Sequence, residues 1–192
     1  MKLATHNSLS YVRPQWWARP FNFISKCQSL TVWQQYDLGV RYFDIRIWWS
    51  GNRLISKHGL AKYDVDVLSV LDFLNSKNDK VRVRLVLEDT FAFGKNYDSR
   101  FVAFVNEVVK KYENVTFLCG VKKSTWAKLV DLLDEPLEDF YEFFGDDGSE
   151  IYNPKWNAKH NNRLYWRLAS LLSSTGSDSW LMFDFIEIGR PL

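Results

Sequence analysis

The stretch LGVRYFDIRIWWSGNRLISKHG, residues 38–59, determines the architecture that the sequence predicts. It opens with an apolar run, residues 40–48, which we predict to be a buried strand. Asp44 and Arg46 stand two residues apart in this run, and alternation along a strand places both side chains on one face. The strand therefore presents an acid and a base to the same surroundings.

A second predicted strand, residues 53–57, follows at once and brings His58 to its end. Gly59 beside it can adopt backbone conformations that other residues avoid, so that a turn or a ligand can come close. Because α/β sheets build their sites at strand ends, the stretch predicts a site that contains a titratable imidazole.

Strand-like and helix-like segments alternate through the rest of the chain. The predicted strands are residues 2–5, 40–48, 53–57, 81–90, 115–119 and 180–188. The predicted helices are residues 27–37, 64–76 with Asp64 as the N-cap, 98–112, 124–133 and 164–172. Residues 134–162 are acidic, aromatic and turn-rich, and we predict no helix or strand for them.

This alternation predicts an α/β fold with a parallel sheet and right-handed crossovers. We expect residues 1–192 to form a single domain, a (β/α) TIM-like barrel that is trimmed or irregular. Such barrels typically need roughly 250 residues, more than this chain has, which is why we expect a reduced form. An open, doubly wound sheet is the alternative.

Composition excludes several classes of protein. The chain is 46% hydrophobic and 25% charged, as soluble globular proteins are, and its net charge of +2 gives no electrostatic support for nucleic-acid binding. Its two cysteines, Cys27 and Cys119, are too few for a disulfide framework and are predicted to be buried thiols. With neither a leader nor an apolar span in the sequence, we expect a cytoplasmic protein, or one secreted after processing, that acts peripherally on membranes.

Chemically useful groups fall at the predicted strand ends. They are His6, Asp44 with Arg46, His58 and Asp184. Two imidazoles can exchange protons with an attacking hydroxyl and a leaving alcohol, while a guanidinium neutralises charge on a phosphoryl group. Taken singly, each histidine could be an ordinary core or surface residue, and the acid and base of the first strand could be a structural ion pair.

Three motifs follow one another along the chain: THNS at 5–8, the segment at about 30–47 that ends in GVRYFDIRI, and KHG at 57–59. In this order and spacing they resemble the catalytic X region of phosphatidylinositol-specific phospholipase C. The segments LVLEDT at 85–90 and MFDFIE at 182–187 are also similar to strands of that family. The family has a distorted TIM barrel, so the resemblance implies the same fold here.

The resemblance also implies a role for each candidate. His6 would be the general base on the inositol 2-hydroxyl, oriented by Asp184, and His58 would be the general acid for the diacylglycerol oxygen. Asp44 would support Arg46 or His58. The implied products are a 1,2-cyclic inositol phosphate and diacylglycerol, and the implied partner is a phospholipid at a membrane surface, with no obligate protein partner.

The residue at position 46 separates two types within this family. Calcium-dependent members carry an acidic metal ligand there, whereas the guanidinium of Arg46 supplies positive charge itself and would repel a cation. The resemblance therefore implies the bacterial, metal-independent type, with no cofactor. Asn7 departs from this, because it matches the calcium-dependent motif where bacterial members carry aspartate.

Substrate contacts are less well defined by the sequence. We assign Asn7, Arg84 and Glu88 to substrate binding, although Arg84 and Glu88 could equally be ion-pair partners inside the barrel. The headgroup stays open between phosphatidylinositol, a glycosylated form of it, and another phosphodiester with a neighbouring hydroxyl. Tryptophan favours lipid–water interfaces, so we predict membrane contact for two pairs placed in loops, and the alternative is that they pack as core. The pairs are Trp16–Trp17 and Trp48–Trp49.

Two other functions remain open at this stage. A catalytically inactive phosphoinositide-binding protein could use the same barrel, although such a protein could have lost either histidine and this one has kept both. A metal-dependent glycerophosphodiesterase would need paired acids where Arg46 stands.

Overall fold

The computed structural model describes residues 2–49, 53–87, 99–119, 143–145, 153–176 and 179–191. Within these ranges eight strands form one mixed sheet. The strands are β1 (Leu3–Thr5), β2 (Val40–Trp49), β3 (Leu54–His58), β4 (Ala61–Asp66), β5 (Val81–Leu87), β6 (Val115–Cys119), β7 (Phe143–Gly145) and β8 (Trp180–Phe183). The helices are α1 (Asn22–Ser25), α2 (Val32–Asp37), α3 (Val67–Asn75), α4 (Ser99–Lys111) and α5 (Pro154–Ser174), with a 3-10 helix at Trp16–Phe21.

Six of the strands are parallel and lie side by side in the order β6-β5-β2-β1-β8-β7. The remaining two, β3 and β4, continue antiparallel from the end of β2. The predicted α/β class with a parallel sheet is confirmed. The predicted barrel would close between β6 and β7, and the residues between them, 120–142, lie outside the described ranges, as does the predicted helix at 124–133.

The core lies between the sheet and its helices. Val, Ile and Leu side chains of the strands are buried against apolar stripes of α3 and α4, such as Leu71 and Val105. Burial of this kind contributes about 25 cal/mol per Å² of apolar surface, so the sheet and helices hold each other in place. Among the described helices, none combines the length and hydropathy of a membrane span.

Two predicted helices begin later than expected. The helix predicted at 64–76 begins at Val67, because Asp66 caps it by accepting from the Leu68 backbone N–H at 3.1 Å, whereas Asp64 lies in β4. The helix predicted at 27–37 is confined to α2, where Thr31 and Gln34 form a capping box.

The C-terminal third differs more from the prediction. The helix predicted at 164–172 is the C-terminal half of α5, which already begins at Pro154. The prediction of no helix or strand in residues 134–162 is therefore wrong, since this segment contains β7 and the first turns of α5. The strand predicted at 180–188 ends at Phe183, because Phe185 adopts a positive φ of 43° that no strand accommodates. Trp48 and Trp49 are not loop residues, since both lie in β2 and pair with β3.

Candidate active site

The carboxyl ends of adjacent parallel strands bring three of the predicted groups together. His6 directly follows β1 and Asp184 directly follows β8, and these two strands are neighbours. Asp44 and Arg46 lie near the middle of β2, which flanks β1 on its other side and pairs Phe43 with Thr5. The β2–β3 pairing is antiparallel and joins Ile47 with Ser56, so β3 turns back and carries its last residue, His58, toward the same place.

His6 is bound through both of its ring nitrogens. Its Nδ1 lies 2.8 Å from Oδ1 of Asp184, and its Nε2 lies 2.8 Å from Nη2 of Arg46. A guanidinium can only donate, so Nε2 must accept and the ring proton lies on Nδ1. Burial and the Arg46 charge hold the pKa of His6 well below the ordinary value for histidine. The ring is therefore neutral, with its lone pair directed at Arg46.

Asp44 joins two arginines beneath that ring. Its Oδ1 accepts from Nε of Arg84 at 2.8 Å, and its Oδ2 accepts from Nε of Arg46 and the backbone N–H of Asn7, each at 3.0 Å. Burial alone would raise the pKa of Asp44, but the two guanidiniums outweigh it and hold the pKa well below its usual range. The carboxylate is thus charged and fixes the orientation of Arg46.

Backbone strain occurs directly after both members of the His6–Asp184 pair. Asn7 and Phe185 each have φ of 43°, a conformation that asparagine tolerates and phenylalanine rarely adopts. Asn162 of α5 donates its side-chain N–H groups to the carbonyls of Asp184 and Phe185, at 2.7 and 3.0 Å. Strain of this type clusters where a fold fixes functional side chains, and here it occurs next to both members of the pair.

His58 has different neighbours. Its Nδ1 lies 2.8 Å from the carbonyl oxygen of Ser25, which also accepts from the hydroxyl of Tyr63. A carbonyl only accepts, so His58 carries its proton on Nδ1 and leaves Nε2 as the second site for a proton. The His58 and His6 rings lie 5.7 Å apart and nearly perpendicular. Gly59 then turns the chain with a φ of +57°.

A cleft of about 180 Å³ lies beside His58. Its apolar lining consists of Ala18, Phe21, Ile24, Leu60 and Ala61. Several of these side chains, together with Trp16 and Trp17, are exposed to solvent, and Trp16 is 76% exposed. Large apolar side chains gathered at a surface mark a contact with lipid, ligand or protein.

The other predicted residues have varied positions. Asn7 is fully buried and donates its amide N–H to the Ser25 carbonyl at 3.2 Å. Arg84 is bound to Asp44, so the ion-pair alternative describes the contact that it makes. Trp48 is half-buried, with the Lys62 ammonium 4.0 Å from its ring centroid. Glu88 lies outside the described residues, as does the side chain of Trp49.

Cys27 and Gln28 reach the site without having been predicted to do so. The Cys27 thiol is buried and unpaired with another cysteine, as expected, but it lies 3.9 Å from Nδ1 of His58 and within 4.8 Å of a carboxylate oxygen of Asp184. Gln28 donates to the carbonyls of His6 and Phe183, which ties the ends of β1 and β8 together. Both follow a four-residue helix in a loop, where no periodicity could have indicated a role.

The arrangement supports proton transfer beside a phosphoryl group. One imidazole is neutral and held by a carboxylate, a second imidazole lies 5.7 Å from it, and a guanidinium contacts the first ring. A base, an acid and a fixed cation are what the displacement of an alkoxide from a phosphodiester requires.

Comparison with known proteins gives a fold but no sequence family. No protein-family model and no curated protein sequence matches the chain. Among solved structures, phosphatidylinositol-specific phospholipase C from Listeria monocytogenes superposes with a TM-score of 0.64 at 16% identity, covering 96% of this chain and 88% of that one. The Staphylococcus aureus phosphatidylinositol-specific phospholipase C gives 0.62 at 14% identity, covering 98% and 87%. In fold, the chain is similar to bacterial phosphatidylinositol-specific phospholipases C.

Proposed function

We propose that residues 1–192 form one catalytic domain that cleaves phosphatidylinositol-type lipids into a 1,2-cyclic inositol phosphate and diacylglycerol, without a metal cofactor. One observation carries the proposal. His6 is bound to Asp184 through one nitrogen and to Arg46 through the other, with the His58 ring 5.7 Å away. The similarity in fold to bacterial phospholipases C supports the same reaction class.

Arg46 moves first in this mechanism. The substrate phosphodiester is anionic, so it draws the guanidinium away from Nε2 of His6 and forms charge-assisted hydrogen bonds with it. The inositol 2-hydroxyl then takes the place of Arg46 at Nε2. Asp44 continues to hold Nε of Arg46, which keeps the positive charge beside the phosphoryl oxygens.

The 2-hydroxyl oxygen attacks phosphorus while His6 takes its proton on Nε2. Asp184 stabilises the imidazolium that forms, since its carboxylate already accepts from Nδ1. Attack by a hydroxyl of the same molecule gains from proximity, because no second reactant has to be bound. The bond between phosphorus and the glycerol oxygen breaks, and a protonated His58 gives its Nε2 proton to that oxygen.

The apolar cleft supports the assignment of the two histidines. It borders His58 and not His6, so the glycerol and acyl part of a lipid fits on the side of the proposed acid. Trp16 and Trp17 stand exposed near this cleft, in the 3-10 helix, and we propose that both contact the membrane. Trp48 packs under Lys62, which favours the packing alternative for that residue.

Phosphorus NMR of a phosphatidylinositol digest tests the proposal directly. With a chelator present, the expected signal is that of a five-membered cyclic phosphate. His6→Ala and His58→Ala should each reduce its rate of appearance by about 10²–10⁴-fold, the usual contribution of a general acid or base. Circular dichroism checks that both variants remain folded.

His160→Ala is the matched control, since His160 lies exposed on α5 and bonds the carbonyl of Trp156. It should retain full activity. Lipid binding without any cyclic product would identify a catalytically inactive phosphoinositide-binding protein instead. Full activity in either site variant would overturn the roles assigned here.

A further inference from the structure

A buried thiol lies between the two histidines, and the mechanism does not use it. Sγ of Cys27, a ring nitrogen of His6 and a carboxylate oxygen of Asp184 all lie within 4.8 Å of one another, and all three residues are buried. Nδ1 of His58 lies 3.9 Å from the same sulfur. We call these four residues the Cys27 cluster.

We propose that the Cys27 cluster binds Zn²⁺ and that the bound ion inhibits the enzyme. Thiolate, imidazole and carboxylate are the protein ligands that zinc takes in tetrahedral sites. Arg46 and Arg84 oppose a cation here, but both are bound to Asp44. Arg46 contacts Nε2 of His6, whereas the carboxylate of Asp184 lies at the opposite nitrogen, Nδ1, where the ion would bind. Binding stands independently of the proposed function, and only the inhibition rests on it.

The spacing is close to that of a zinc site. Bond lengths of about 2.3 Å to sulfur and about 2.1 Å to nitrogen put two tetrahedral ligands roughly 3.5 Å apart. The sulfur and the His58 nitrogen, at 3.9 Å, need only a small rotation to reach that distance. Nδ1 of His6 and Oδ1 of Asp184, which are 2.8 Å apart, must separate slightly, while the other ligand atoms must come closer together. This rearrangement predicts binding weaker than in proteins that depend on zinc for folding.

The protons can be accounted for without any redox step. The Cys27 S–H bond ionises, and its proton passes to the buffer as the metal–sulfur bond forms. The His6 proton leaves Nδ1 for Nε2 when the ion occupies Nδ1, and Arg46, which is partly exposed, withdraws from Nε2. The His58 proton likewise leaves Nδ1, where it is bonded to the Ser25 carbonyl, for Nε2. His6 then has no lone pair left to accept the 2-hydroxyl proton, and this is why the bound ion inhibits.

Cobalt substitution tests the site without reference to activity. Co²⁺ added to the protein should produce a thiolate-to-cobalt charge-transfer band that one equivalent of Zn²⁺ removes. Cys27→Ser should abolish the band and weaken Zn²⁺ binding by more than about tenfold. Cys119→Ser is the control, since it removes the only other thiol of the chain and should leave the band intact. A band that persists in Cys27→Ser, or its absence from the native protein, would overturn the proposal.

Nitrogen NMR of the native protein gives a result that does not depend on a variant folding. Zn²⁺ should shift the imidazole signals of His6 and His58 and leave that of exposed His160 in place. Shifts confined to His160 would contradict the site. Zn²⁺ should also slow cleavage of a soluble inositol phosphodiester, and EDTA should restore the rate. Zinc binding without any cleavage in the metal-free protein would keep the site and reject the proposed reaction.

Discussion

The two histidines of the site occupy contrasting environments. His6 is 1% exposed, is held by the carboxylate of Asp184 and faces a guanidinium. His58 is partly exposed, is held by the backbone carbonyl of Ser25 and borders an apolar cleft. In the proposed reaction one residue type serves as base and as acid, because the partners of each ring determine what it can accept or donate.

The largest predicted effect is a difference in how the activities of the two histidine variants depend on the leaving group of the substrate. On a phosphatidylinositol substrate, His6→Ala and His58→Ala should each slow turnover by about 10²–10⁴-fold. A substrate with an acidic phenol in place of diacylglycerol needs no proton on its leaving oxygen. His58→Ala should recover most of its activity on that substrate, whereas His6→Ala should not. Steady-state rates on the two substrates measure this difference.

If the activity of His6→Ala recovered on the phenol substrate and that of His58→Ala did not, His6 would be the acid and His58 the base. Equal recovery of both would mean that neither ring transfers the proton to the leaving group. His160→Ala, measured on both substrates, controls for changes in overall charge.

Asp44 gives the largest expected effect on stability. Asp44→Asn removes the charge that Arg84 and Arg46 share, and leaving a buried cation without its counter-charge costs about 3–5 kcal/mol of unfolding free energy. Urea denaturation measures the loss. Asp79→Asn is the control, because it interrupts the surface pair with Arg41 and should leave the urea midpoint nearly unchanged.

The same carboxylate predicts how the free energy of unfolding decreases at acidic pH. The pKa of Asp44 is lower in the folded protein than the value of about 3.9 in the unfolded chain. Its contribution is therefore complete above about pH 4 and is lost as the pH falls below that value. Asp44→Asn should flatten this part of the stability profile, and an unchanged acid limb would mean that the carboxylate is not charged in the fold.

The sequence indicates the titratable and charged side chains of this site, but it does not indicate the hydrogen bonds that hold them in place. Alternation in β2 predicts Asp44 and Arg46 on one face, and their side chains are in contact. The predicted strand ends carry His6 and His58, whose rings lie 5.7 Å apart. Asp184 stands out by its apolar surroundings, although its strand ends at Phe183, five residues earlier than the predicted end at residue 188.

The missing connections run through backbone groups and loops. The carbonyl of Ser25 holds His58, and Gln28 holds the ends of two strands, yet neither has a periodic pattern that could indicate it. The turn at Phe185 depends on Asn162, which lies 23 residues away in sequence. Contacts of this type join residues that are distant in sequence, so local sequence patterns cannot predict them.

The protonation of His6 provides a smaller test of the same contrast. Its folded pKa is depressed by burial and by Arg46, so the ring should remain neutral well below pH 6.5, where the unfolded chain already binds a proton. His6 therefore lowers stability progressively as the pH falls below about 6.5. Arg46→Gln should raise the His6 pKa, and nitrogen NMR titration of both proteins measures the change. Titration of native His6 at or above pH 6.5 would contradict a neutral resting base.

The smallest expected effect concerns the exposed tryptophans rather than the imidazoles. Trp16 is 76% and Trp17 45% exposed, so neither contributes much to the core, and inserting them into a lipid interface buries new apolar surface. Trp16→Ala with Trp17→Ala should weaken binding to phosphatidylinositol vesicles by roughly tenfold. Turnover of a soluble inositol phosphodiester should not change.

Trp33→Ala separates membrane contact from a general loss of aromatic surface. Trp33 is 40% exposed, but its ring packs against Phe73 of α3, so its removal should lower stability slightly and leave vesicle binding as it was. If the Trp16/Trp17 variant lost vesicle binding and soluble turnover in equal measure, the two rings would support the His58 side of the site by packing. The apolar cleft would then be part of the fold's interior rather than the place where a lipid enters.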